Sequence, residues 1–175
     1  MDRPRIDPGH PALASLLGRW RGTTRLEPGP WGPERSVDAE MTFTLVAGGL
    51  AVVQSYRHTE PDGGHFEGHG IFTVDPDRQD VFWYYVNSMS PAPAAPARCT
   101  WHDGVLQVER HTGAGSTRHT LSVSEGLLLD IAELRRDDPS GTDLRDRSAA
   151  NGAADSYKPF MTSRYRRDPG APQAG

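Results

Sequence analysis

The stretch Leu50–Met89, LAVVQSYRHTEPDGGHFEGHGIFTVDPDRQDVFWYYVNSM, holds three strand-like runs separated by two turn-forming stretches. In the first, EPDGG, the dipeptide Asp62-Gly63 suits a two-residue type I′ turn, which needs positive φ at both central positions. Centring the hairpin there sets Tyr56 opposite His69 and His58 opposite Glu67 on one face, with Ser55 opposite Gly70 and Arg57 opposite Gly68 on the other. One face then carries Tyr56, His58, Glu67 and His69 beside apolar Leu50 and Val52, as the wall of a pocket would. The second stretch, DPDRQD, turns the chain into Val81–Met89. There Trp83, Tyr85, Asn87 and Met89 share a face, and a five-residue turn at Asp75–Gln79 would set that face beside His69 and Glu67.

The same alternation continues on both sides. GRWRGTTRLE is a first strand anchored by Trp20, preceded by a short helical stretch, Ala12–Leu17, that Gly18 stops. Val37–Val46 sets Val37, Ala39, Met41, Phe43 and Leu45 against Asp38, Glu40, Thr42 and Thr44, the period of a half-buried strand. Between them lies PGPWGPERS, a loop whose Trp31 is too apolar to stay in water and is expected to fold onto its neighbours. Arg98–Trp101 and Val105–Thr112 form a hairpin over Asp103-Gly104. A type I′ turn there pairs Trp101 with Leu106, Cys99 with Val108, and Arg98 with Glu109. Ser116–Val123, Leu127–Leu134 and Lys158–Arg166 complete about ten strands at roughly 8–12 residue spacing, the pattern of an all-β barrel or sandwich.

Successive turns of an up-and-down meander fall at alternate ends. One end collects the tight turns at Ala47–Gly49, Asp75–Asp80, His102–Gly104 and Ser124–Gly126. The other collects the longer loops and the polar, aperiodic insertion 135–156. That asymmetry describes a closed antiparallel barrel, open at the long-loop end, with residues 1–11 and 167–175 as tails.

The bulk numbers limit what such a barrel does. The formal net charge is −4, from 23 acids and 19 bases without a basic block, so nucleic acid is not an expected partner. Lys158 is the only lysine and Cys99 the only cysteine, which excludes a disulfide framework and a thiolate metal cage. No apolar run approaches a membrane span, and the start lacks a signal-peptide core. A cytoplasmic protein without a membrane partner is expected, as a monomer or homodimer.

LASLLGRWRG, PGPWGPE, FEGHGIFTVDP, VNSMS, PARCTW and PFMTSRYRR together resemble a bacterial family of lipocalin-like (calycin) β-barrels of unknown function, across most of Leu13–Arg166. Members of that family usually carry an acid where this chain has Asn87, and the 135–156 insertion is unusual for it. More distantly, Gly18–Gly22 resembles the start of the nitrobindin barrels, relatives of the fatty-acid-binding proteins. That group holds haem through a His near the C-terminal end. No His follows His119 here, so no cofactor is implied.

Two functional readings follow. In the first, an apolar or aromatic small molecule enters the lumen and meets Tyr56, His69, Trp83, Tyr85, Asn87, Met89 and Trp31. In the second, the barrel is an enzyme, for example an isomerase or cyclase of natural-product biosynthesis. His58 or His69 would then be the base, Glu67 its orienting carboxylate and Tyr56 the acid. The same two histidines and Glu67, turned inward, could instead hold a divalent metal, although no metal is expected. The remaining alternative is that these side chains satisfy one another or face solvent.

Overall fold

The computed structural model describes residues 11–75, 77–78, 80–89, 93, 95–112, 115–135 and 157–170. The expected tail up to residue 10, residues 136–156 of the insertion, most of the Pro/Ala loop and residues 171–175 lie outside them.

Ten strands run in sequence: β1 Gly18–Leu26, β2 Arg35–Val46, β3 Ala51–Thr59, β4 His65–Val74, β5 Val81–Asn87, β6 Ala97–His102, β7 Val105–Thr112, β8 Gly115–Ser124, β9 Leu127–Arg135 and β10 Lys158–Arg167. Each pairs antiparallel with its neighbours in the chain, and β10 pairs back onto β1 to close the barrel. The all-β, up-and-down barrel expected from the alternation is therefore the fold. β2 shows why: Val37, Ala39, Met41 and Phe43 are all buried, while the residues between them face outward.

The tight turns set register by their length. Asp103 and Gly104 both have positive φ, 49° and 79°, as a type I′ turn requires, and Trp101 faces Leu106 and Cys99 faces Val108 as expected. Arg98, however, does not meet Glu109. It pairs with Asp80 at 2.6 Å, across the neighbouring strand β5.

The Glu60–Gly64 connection departs from its reading. It is a three-residue loop in which Gly63 N donates to Glu60 O at 3.0 Å and Glu60 N donates to Gly64 O at 2.7 Å. Pro61, with φ preset by its ring, takes the second position of the turn, and Gly63 alone adopts a left-handed φ of 86°. An odd loop in place of an even one moves the register by one residue, so Tyr56 faces Gly68, His58 faces Phe66, Ser55 faces His69 and Arg57 faces Glu67. Phe66, Gly68, Gly70 and Phe72 point into the barrel, and Glu67 and His69 point out of it.

Ahead of β1, a four-residue helix, Pro11–Ala14, brings Leu13 and Leu16 over the tight-turn end, where both are buried. The indole Nε1 of Trp20 donates to Leu16 O at 2.7 Å, which ties this plug to β1. β10 extends through Arg167, one residue beyond the expected strand. The Arg167 guanidinium lies 4.3 Å from the Trp20 ring centroid and donates to the carbonyls of Leu17 and Ser15.

Candidate functional site

The lumen changes character along its axis. Toward the tight turns it is filled by Leu13, Leu16, Val52, Phe72 and Leu106; toward the long loops, buried polar side chains appear, among them Thr24, Gln54, His58, His119, Asp130 and Ser163. Between these zones Met41, Gln54, Tyr56, Trp83, Tyr85, His119, Asp130 and Met161 surround a cavity of about 10 Å³, room for a single water.

Two glycines make the aromatic wall possible. A Cβ at Gly68 would sit 1.8 Å from Tyr85 Oη, and one at Gly70 would sit 2.3 Å from Trp83 Nε1. With no side chains there, the rings of β5 lie across β4 and stack on each other at 4.7 Å. Trp83 Nε1 donates to Gln54 Oε1 at 2.9 Å, which fixes the indole. The face of Trp83 and Tyr85 thus adjoins Phe72 and Gly70, not His69 and Glu67. The β4–β5 connection spans Asp75–Asp80 and pairs Val74 with Val81.

A second set of groups runs from the mouth into the lumen. Arg35 holds the Glu60 carboxylate with two hydrogen bonds of 2.7 Å each. Glu60 Oε1 lies 3.1 Å from His58 Nε2, and His58 Nδ1 lies 2.7 Å from Tyr56 Oη. Tyr56 Oη is 3.2 Å from Thr24 Oγ1, which is 2.8 Å from Ser163 Oγ. The bidentate guanidinium, with His58 adding a smaller share, holds Glu60 down to about 2, so it is a carboxylate. An Nε2–H donated to that carboxylate leaves Nδ1 as the acceptor for the Tyr56 hydroxyl. Burial lowers the His58 pKa despite the pull of Glu60, and burial pushes the Tyr56 phenol well up. At neutral pH the chain is therefore carboxylate, neutral imidazole and protonated phenol.

The structure brings Tyr56, His58, Trp83 and Tyr85 together inside the barrel. Asn87 is half-buried beside Gly68, and its Oδ1 accepts from Met89 N at 2.9 Å. Met89 is 67% exposed. Trp31 does fold down, onto Phe160 at 5.5 Å between ring centroids, but it lies at the rim and remains 37% exposed. Outside the barrel, His69 Nδ1 meets Ser55 Oγ at 3.2 Å, and Glu67 lies 3.6 Å from both Arg57 and His65. Neither can act on a ligand in the lumen. With both outside, the metal set considered from sequence does not converge. Among the described residues no three His, Cys, Asp or Glu side chains gather as metal ligands. Burial alone raises the Cys99 thiol to about 12, which leaves it inert.

Sequence reasoning missed Arg35, Glu60, Met41, Gln54, His119, Asp130 and Met161. For His119 and Asp130 a signal existed. A two-residue turn at Glu125-Gly126 sets Leu121 opposite Asp130 and His119 opposite Ala132, in phase with buried Leu128. The pairing of Arg35 with Glu60 joins the first residue of β2 to the residue after β3, 25 positions on, and nothing local announces it.

A closed antiparallel barrel, plugged at one end and carrying a polar, aromatic half-lumen at the other, is the class of protein this geometry defines. The chain belongs to the family described as "Protein of unknown function (DUF1579)", whose model matches residues 6–94, just over half of the chain. No curated protein matches it. Among solved structures it is similar to Rv2717c from M. tuberculosis, with a TM-score of 0.63 and 14% identity over 93% of this chain and 99% of that one. It is also similar to EF1p2_mFAP2b bound to DFHBI, with a TM-score of 0.44 and 15% identity over 91% and 98% of the two chains. Likeness at such identities extends to the course of the chain alone. Among the described residues no helix is long and apolar enough to cross a membrane.

Proposed function

We propose that this barrel binds a small apolar or aromatic molecule in its lumen, taken in through the long-loop end. The observation that carries the reading is the interior cavity walled by the Trp83 and Tyr85 rings and flanked by two methionines, Met41 and Met161. At about 10 Å³ the cavity holds one water, so a ligand has to enlarge it. Methionine, unbranched and polarisable, repacks at low cost, and Met161 stands on the side of the long loops, opposite Leu26 at the end of β1. Tyr56, Trp83 and Tyr85 are the contact residues of this reading, with Gln54, His119 and Asp130 as polar contacts.

Native mass spectrometry of the protein from its own host, with an absorbance scan, tests the reading directly. A retained aromatic molecule that is lost on Trp83→Ala supports it. The reading is overturned if the protein carries nothing and a panel of aromatic probes fails to shift the Trp83 indole resonance.

The Arg35–Glu60–His58–Tyr56 chain favours a second reading, an isomerase or cyclase working in the same lumen. A neutral imidazole oriented by a carboxylate and bonded to a phenol is a group set for moving a proton to or from a bound substrate. In that case Tyr56→Phe abolishes turnover while leaving binding within a few-fold of wild type; an equal loss of both returns the site to binding alone.

A further inference from the structure

Asp130 is buried to 3% exposure in the wall of the cavity, and its Oδ1 has no hydrogen-bond partner among the described residues. A carboxylate removed from water in this way costs several kcal/mol unless a donor or a cation meets it. Among the described residues the basic side chain that comes within 4 Å of it is His119, whose Nδ1 lies 3.9 Å away, too far for a hydrogen bond. Arg110 enters the same half of the barrel, but its Cζ lies over the Trp83 and Tyr85 rings at 5.1 and 5.2 Å, and its Nη1 donates to Tyr85 O. It makes no ion pair with Asp130. Met41, Gln54, Tyr56, Trp83, Tyr85 and Met161 line the same cavity, and the Asp130 charge contributes to raising the Tyr56 and Tyr85 phenols. One buried acidic oxygen without a partner thus belongs to a side chain in the wall of a cavity that Tyr56, Trp83 and Tyr85 also line.

We propose that Asp130 is the recognition group for a positively charged nitrogen, and that the ligand is an aryl- or alkyl-ammonium compound. This rests on the lumen-binding reading above and names the class of molecule it takes. An ammonium N–H supplies the charge-assisted hydrogen bond that Oδ1 lacks, and the aromatic wall takes the apolar body of the ligand. The cavity's present size matches the head group alone, so the body of the ligand displaces Met161. A carboxylate ligand is disfavoured by the same charge.

Isothermal titration of the full chain with benzylamine and with benzyl alcohol, for wild type and Asp130→Asn, tests this. Both probes carry the same ring, and only the amine is charged at neutral pH. Benzylamine is expected to bind wild type at least about tenfold tighter than the alcohol, the smallest advantage a buried charge-assisted bond should give. Asp130→Asn should remove that preference and leave the alcohol's affinity within a few-fold. Equal binding of the two probes to wild type overturns the inference but leaves the lumen reading standing, with a trapped water serving Asp130. If neither probe binds, the lumen reading falls and the inference with it. Because the wild-type comparison decides alone, a variant that fails to fold does not protect the proposal.

Discussion

The two ends of the barrel are closed by different chemistries. At the tight-turn end Leu13 and Leu16 cap a stack of Trp20, Val52, Phe72 and Leu106, all of them essentially without exposure. At the long-loop end the interior positions are held by Thr24, His58 and Ser163, linked through Tyr56 by hydrogen bonds that begin at the partly buried Arg35–Glu60 pair. Apolar burial is stabilising without regard to direction, so the first end needs only volume to be filled. A buried polar group is costly unless it finds a partner, so the second end depends on individual bonds, leaves Asp130 Oδ1 without one, and contributes less stability for its size. One end holds the barrel together, and the other is the half in which we propose that a ligand sits.

The sharpest way to break that contrast is to open the packed end. Leu106→Ala removes a fully buried side chain two residues from the Asp103-Gly104 turn and should cost about 2–5 kcal/mol, read by urea denaturation. The binding of lumen probes should survive in the folded fraction. A loss below about 1 kcal/mol would mean that the packed end is not where stability resides.

Gly68→Ala acts at the boundary. Its methyl carbon would fall 1.8 Å from Tyr85 Oη, so the phenol must leave its place across β4. Overpacking of this kind costs about 1–3 kcal/mol. The signature that separates it from a general loss is near-ultraviolet circular dichroism, which should change through the Trp83–Tyr85 stack while the far-ultraviolet spectrum stays. An unchanged near-ultraviolet spectrum would show that the rings do not lie on the glycines.

Tyr56→Phe touches only the polar end. It deletes the hydroxyl between His58 Nδ1 and Thr24 Oγ1, and the adjoining cavity admits a water that takes over part of its bonding, so a cost of about 1 kcal/mol is expected by the same denaturation. A cost as large as that of Leu106→Ala would erase the distinction between the two ends.

The same division decided what could be read from the chain. The packed end was legible because alternation is a two-valued signal: Met41 and Phe43, toward that end, announce the inward face of β2 with no knowledge of their partners. The ten strands, the barrel and the Asp103-Gly104 hairpin follow from such patterns and from turn chemistry. The polar end depends on register, where one residue reverses the outcome. Reading EPDGG as a two-residue turn put His69 and Glu67 inside; the turn that Pro61 and Gly63 actually make puts them outside and brings in Gly68 and Gly70. The alternation of HFEGHGIF around Phe66 and Phe72 contained that answer, because glycines in an inward phase leave room for the rings of the next strand. The Arg35–Glu60 clamp, in contrast, joins the first residue of β2 to the residue that follows β3 at the rim, and alternation within either strand does not encode it.

The smallest effect is a pH dependence that belongs to the polar end alone. Burial lowers the His58 pKa from 6.5, while the Arg35 clamp lowers that of Glu60 from 4.5 to about 2. As pH falls below 6.5 the unfolded chain takes up a proton that folded His58 refuses, so stability declines. Above 6.5 the imidazole is neutral in both states and contributes no slope. Glu60 adds a second decline in the same direction, beginning near 4.5 and complete only near 2, because its carboxylate stays ionised in the fold. His58→Gln should therefore flatten the stability profile between pH 6.5 and 4.5 and leave the lower step in place, whereas Leu106→Ala should shift the whole profile down without changing its shape. Profiles of equal slope in wild type and His58→Gln would show that His58 is not held neutral, and the carboxylate–imidazole–phenol chain would then lose the protonation state on which its proposed chemistry depends.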